Sequence, residues 1–164
     1  MVIQRWQSLF LLIAAILMAF FSYLPLMQLG SATAEYIISP LGLTMEGIAT
    51  SPDSALNAAL AQTDYSWCTF ILSILISLLL LASIFVYKRL RLQKKLCVIS
   101  CLLIITVYAV VAITVINTDK SLDINSYQLM PAAFFPLLSL ILTIMAYRNI
   151  KKDEKVLSSY DRIR

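Results

Sequence analysis

Hydrophobic positions along this chain come in long unbroken blocks rather than in alternation. Four runs of about twenty apolar residues, at 9–27, 67–87, 96–116 and 129–147, contain no charged side chain. A helix rising 1.5 Å per residue needs about 20 such residues to cross the hydrocarbon core of a bilayer. Strands of a membrane barrel would instead alternate apolar and polar positions over about 10 residues. The pattern predicts an all-α membrane protein, a left-handed bundle of four transmembrane helices forming one domain over residues 1–164. Between the first two runs lies a loop at 30–66, and after the last a basic tail at 148–164.

The loop carries its own local signals. Tyr36-Ile37-Ile38-Ser39 and Leu43-Thr44-Met45-Glu46 flank Pro40-Leu41-Gly42, a turn sequence, and so predict a small hairpin. Ser51-Pro52-Asp53 reads as a helix N-cap, a proline at the first helical position and an acid in the first turn. The alanine-rich stretch 54–62 that follows predicts a short helix. Together they would make a cap over the bundle. Such a cap is either a docking surface for an envelope partner or a lid over helix ends.

Composition reinforces the membrane reading. Of 164 residues, 60% are hydrophobic and 13% charged, about half the charge content of a soluble domain. The formal charge of +4 would suit a nucleic-acid partner, but the basic residues flank the apolar runs. Orientation and anionic headgroups account for them instead. Twelve of the 13 Lys and Arg residues share one side with Asp153, Glu154 and Asp161, a balance of +9. The other side sets Lys120 against Glu35, Glu46, Asp53, Asp64, Asp119 and Asp123, a balance of −5. By the positive-inside rule the basic side, with both termini, is cytoplasmic. Trp6, Tyr87 and Tyr147 then fall at the inner interface, and Tyr23, Tyr65, Trp67 and Tyr127 at the outer one.

Arg5 followed by an apolar run, with Ala32-Thr33-Ala34 beyond, has the outline of a cleavable signal. The run exceeds the roughly 7–15 residues of a signal peptide, which favours a retained helix.

Small residues mark where helices meet, because burial alone does not drive association within lipid. Ala132, Pro136, Ser139, Thr143 and Ala146 form such a seam on the fourth run. Ala15, Ala19 and Ser22 mark the first, and Ser73 and Ser77 the second. Pro136 predicts a bend in the fourth helix.

Candidate chemistry is sparse. There is no histidine, which removes the commonest general base and metal ligand. Cys97 and Cys101 are one helical turn apart, but zinc needs four ligands, and Cys68 lies at the opposite membrane face. Cys68 therefore reads as a free thiol. Tyr108, in mid-span, is expected to bond a neighbouring helix. Asp119 and Asp123 flank Lys120 in a short loop and read as a solvated turn. The runs carry no ionisable relay of the kind that ion-coupled transporters place in the membrane. No cofactor, metal site or catalytic residue is expected, and the chain does not read as an enzyme.

The tail from Ala146 onward reads as a continuation of the fourth helix. Val156, Leu157, Tyr160 and Ile163 recur at helical spacing among Lys151, Lys152, Lys155, Arg162 and Arg164. This segment would lie on anionic lipid or dock on a cytoplasmic or membrane protein.

The two ends also carry a family resemblance. The opening Met1-Val2-Ile3-Gln4-Arg5-Trp6-Gln7-Ser8-Leu9-Phe10-Leu11-Leu12 resembles the start of a bacterial four-span family known as domain of unknown function 4293. The closing Ile150-Lys151-Lys152-Asp153-Glu154-Lys155-Val156-Leu157, with Ser159-Tyr160-Asp161-Arg162-Ile163-Arg164, resembles its end. The resemblance implies a bacterial inner-membrane protein and supplies no activity. It suggests that the two ends act together, with Gln4, Arg5 and Gln7 contacting the Asp161-Arg162 end. Arg5, Lys151, Lys152, Lys155, Asp161, Arg162 and Arg164 are thus the candidate contacts to a partner or to lipid. The longer first loop also resembles claudin-like tetraspans, but their loop cysteine pair is absent. The leading expectation is a non-catalytic accessory or scaffold subunit of an envelope assembly. The alternative is a small permease or channel for an uncharged or lipidic solute.

Overall fold

A computed structural model describes residues 3–31, 35–46, 52–86, 89–122 and 124–161. The chain forms four long helices: α1 (Ile3–Tyr23), α2 (Pro52–Phe85), α3 (Leu90–Leu122) and α4 (Phe135–Asp161). All four contain stretches long and apolar enough to cross a membrane, at Trp6–Tyr23, Trp67–Phe85, Leu90–Ile116 and Pro131–Glu154. They stand in a ring, α1 beside α2 and α4, and α3 beside α2 and α4.

One rule of spacing organises the interior. The innermost seam runs through buried positions 7, 11, 14, 18 and 21 on α1; 69, 73, 76, 80 and 83 on α2; 93, 97, 100, 104 and 107 on α3; and 136, 139, 143, 146 and 150 on α4, with Ala15, Ser22 and Thr114 buried beside it. Steps of four and three alternate throughout. That is the period of about 3.5 that keeps a seam facing its neighbour in left-handed packing. The predicted seam of the fourth helix is buried along its whole length. Small side chains there let the backbones approach, and hydroxyls bond across the gap. Ser139 donates to the carbonyl of Ala14 at 3.2 Å, and Ser77 to that of Ala15 at 3.0 Å. Ser22 and Ser73 lie 2.8 Å apart.

The exterior is the reverse of a soluble protein's. Phe20, Ile71, Leu78, Leu102, Ile105 and Ile141 are all exposed, while Ser22, Ser73, Ser83, Ser100, Ser139 and Thr143 are buried. An apolar surface of this extent, wrapped round an interior that mixes apolar and hydroxyl side chains, is stable in hydrocarbon and not in water. The protein is a multi-pass membrane protein.

A four-stranded antiparallel sheet covers one end of the bundle. Its strands are β1 (Met27–Ser31), β2 (Glu35–Ser39), β3 (Gly42–Glu46) and β4 (Ile124–Leu129), in the order β3-β2-β1-β4. The predicted hairpin is β2–β3, with Ser39 bonded to Gly42 at 2.8 Å and Gly42 at a φ of 154°. Such a backbone suits a residue without Cβ. Strands β1 and β4 widen the cap beyond that hairpin. Gly30 faces Ser126 across their ladder, where a Cβ would meet the serine hydroxyl. Backbone bonds from Leu26 to Ile38 (2.8 Å) and from Met130 to Leu26 (3.0 Å) fasten the sheet to the helix ends.

Several boundaries differ from the sequence reading. The first helix stops at Tyr23 rather than running to position 27, because Pro25 disfavours helical geometry in the residue before it. The fourth begins after Leu129, which belongs to β4, through a 3-10 turn at Pro131–Phe134. Pro136 is therefore the second residue of α4, at the junction where the 3-10 turn passes into the α-helix. The predicted short helix at 54–62 is continuous with the second span in α2. Asp119 and Lys120 lie on the last turns of α3 rather than in a turn, and Asp123 lies outside the described residues.

Candidate functional site

Polar side chains gather at the end of the bundle that carries the termini. Gln7, in the second turn of α1, is 2% exposed. Its Nε2 donates to the carboxylate of Asp153 on α4. The next residue, Glu154, pairs with Lys94 on α3. Consecutive positions on a helix point about 100° apart, so these two acids reach opposite neighbours and tie α4 to both. The two links differ in strength. A hydrogen bond from a buried amide to a charged acceptor is worth about 1.5–3 kcal/mol. The Lys94–Glu154 pair is 25% and 33% exposed, and water reduces such pairs to about 0–1 kcal/mol.

Around this clamp the surface is basic. Arg89, Arg91, Lys95, Arg148, Lys151 and Lys152 are all exposed. Of the candidate contacts, Lys151 and Lys152 thus stand at the surface of α4, one turn beyond the Tyr147 level. Arg5 lies in the first turn of α1, and Lys155 and Asp161 on the last turns of α4. Arg162 and Arg164 lie outside the described residues. Of the expected contact to the Asp161-Arg162 end, Arg162 and the side chains of Gln4, Arg5 and Asp161 lie outside the described residues; near the two ends Gln7 meets Asp153. The sequence holds a signal for this contact: Asp153 and Glu154 are two adjacent acids in an otherwise basic stretch.

Within the bundle, polar groups are used for packing. Cys97 is buried, with its Sγ 3.8 Å from Ser83 Oγ. Cys68 is exposed. Among the described residues no three Cys, Asp or Glu side chains are grouped to hold a metal ion. Tyr108 donates to the carbonyl of Ala133 at 3.1 Å, the interhelical bond predicted for it.

Beneath the sheet, a cleft of about 390 Å³ opens between α3 and the start of α4. Val111 and Ala112 form one wall, Phe134 and Leu137 the other, and Phe21 lies among its lining residues. Among the described residues that line it, Tyr108 carries the one polar side chain.

No curated protein matches the chain. A family model matches residues 3–163, from the first turn of α1 to the tail beyond α4. By that match the chain belongs to the family described as Domain of unknown function (DUF4293).

Proposed function

We propose that the protein is a non-catalytic accessory or scaffold subunit of an envelope assembly. In this reading it lies in the bacterial inner membrane with the terminal face in the cytoplasm. The observation that carries it is α4. This helix continues without a break from the span to Asp161, and Asp153 and Glu154 brace it against α1 and α3. A braced helix presents Lys151 and Lys152 at a fixed place beyond the bilayer, which suits a docking element. The excess of Lys and Arg at this end supports its cytoplasmic placement.

The test is mild cross-linking in native membranes followed by mass spectrometry of what a tagged copy retains. One partner in near-stoichiometric amount, lost when residues 148–164 are deleted or when Lys151 and Lys152 are both changed to Glu, supports the reading. Recovery of the protein alone sinks it. The apolar cleft favours the second reading, a small permease for a lipidic solute. Flux in reconstituted vesicles separates the two.

A further inference from the structure

We propose that the cleft between α3 and the start of α4 is a binding site for one acyl chain of a zwitterionic membrane phospholipid. This goes beyond the docking role and does not depend on it. The cleft is lined by residues of the membrane-crossing stretches of α1, α3 and α4. Its mouth faces outward, since Ala112, Phe134 and Leu137 are exposed. An occupant therefore enters from the bilayer and not from water. The volume of about 390 Å³ lies at the small end of the range for ligand sites, about 300–1,000 Å³. That suits a flexible chain better than a ring system.

The lining selects against polar occupants. The Tyr108 hydroxyl already donates its proton to Ala133 and can offer a solute only its oxygen as acceptor, so a polar solute would lose most of its water with little replacement. Directly beyond the cleft stands β4, the edge strand of the sheet, beginning the cap where Leu129 joins the lining. Side chains alternate along a strand, so with Leu129 turned to the cleft Ser126 and Gln128 are exposed on the other face of β4. A headgroup that passes the free edge of this strand reaches their hydroxyl and amide groups. The sequence on this side sets one lysine against six acids, a field that disfavours an anionic headgroup and favours one ending in an ammonium.

The test uses the full chain reconstituted alone in vesicles of phosphatidylethanolamine and phosphatidylglycerol. A tracer of phosphatidylethanolamine carries a photoreactive diazirine in its acyl chain. Mapping the adducts should place them on Tyr108, Phe134 and Leu137 at about fivefold or more over Phe20 and Ile71. Those two are exposed near the same end of the bundle on other faces. Ala112→Trp, which fills the cleft, should abolish the excess. Excess unlabelled phosphatidylethanolamine should compete better than phosphatidylglycerol in the unmodified protein. Even labelling around the bundle would overturn the site, since it would show annular lipid only. Equal competition by the two lipids would overturn the headgroup assignment. Because no partner is present, neither result bears on the docking reading.

Discussion

The hydroxyl of Ser139 lies 3.2 Å from the carbonyl oxygen of Ala14, across 125 positions of sequence. Both residues are fully buried. Such an approach is open only to small side chains, so the contact reports how closely α1 and α4 lie. Ser139→Ala keeps that closeness and should cost no more than the interhelical bond, about 0.6 kcal/mol. Ser139→Leu forces the helices apart and should cost about 1–3 kcal/mol. Unfolding in mixed micelles measures both. A leucine variant as stable as the alanine one would show that this seam is not tightly packed.

Ser22 and Ser73 offer a second measurement of the same kind. Each also lies within hydrogen-bonding reach of a carbonyl on its own helix, Met18 at 3.1 Å and Phe70 at 2.8 Å, and the serine that donates across the gap gives up its carbonyl, since each hydroxyl has one proton. Each hydroxyl therefore keeps a partner when the other is removed. A double-mutant cycle with Ser22→Ala and Ser73→Ala should give a coupling near 0.6 kcal/mol and below about 1.7 kcal/mol.

The two links of the terminal clamp should respond unequally. Asp153→Ala leaves the buried Gln7 amide without its acceptor and should destabilise the bundle by about 1–3 kcal/mol. Lys94→Ala removes a partly exposed ion pair and should cost about 1 kcal/mol or less. Raising salt should narrow the second difference and leave the first nearly unchanged. Denaturation curves at two ionic strengths decide it, and equal losses would contradict the assignment.

Orientation is testable with single cysteines placed at exposed positions on the two faces. After Cys68, Cys97 and Cys101 are replaced by serine or alanine, Ser126→Cys reports the sheet face and Lys152→Cys the terminal face. A membrane-impermeant maleimide added outside the inner membrane should label the first and reach the second only after permeabilisation. The opposite pattern would refute cytoplasmic termini.

What the sequence discloses follows physical range. The spans are legible because twenty uncharged, mostly apolar residues in a row suit little besides a bilayer crossing. The seam on α4 is legible because small residues recur every three or four positions. The hairpin is legible because Pro40-Leu41-Gly42 turns the chain locally. Strand β4 is not, since its partner β1 lies almost a hundred residues away and nothing within Ile124–Leu129 announces the pairing. The apolar ends of these strands also merge into the neighbouring spans. That is why hydropathy alone carries the first span through Met27 and begins the fourth at Leu129. At the candidate site, the exposed lysines can be read from composition. The pairing of Gln7 with Asp153 cannot, because it depends on how far α4 extends past the membrane and which of its faces meets α1.

The sheet order also sets a timetable for synthesis. Strands β1, β2 and β3 emerge together after the first helix, and they can form a three-stranded meander at once. The free edge of β1 then waits through the whole of α2 and α3 before β4 leaves the ribosome and closes it. An open strand edge is a template for mispairing with other chains. In this protein the edge of β1 is paired only after all of α3 has been synthesised, and β4 then takes its place as the outer strand of the sheet.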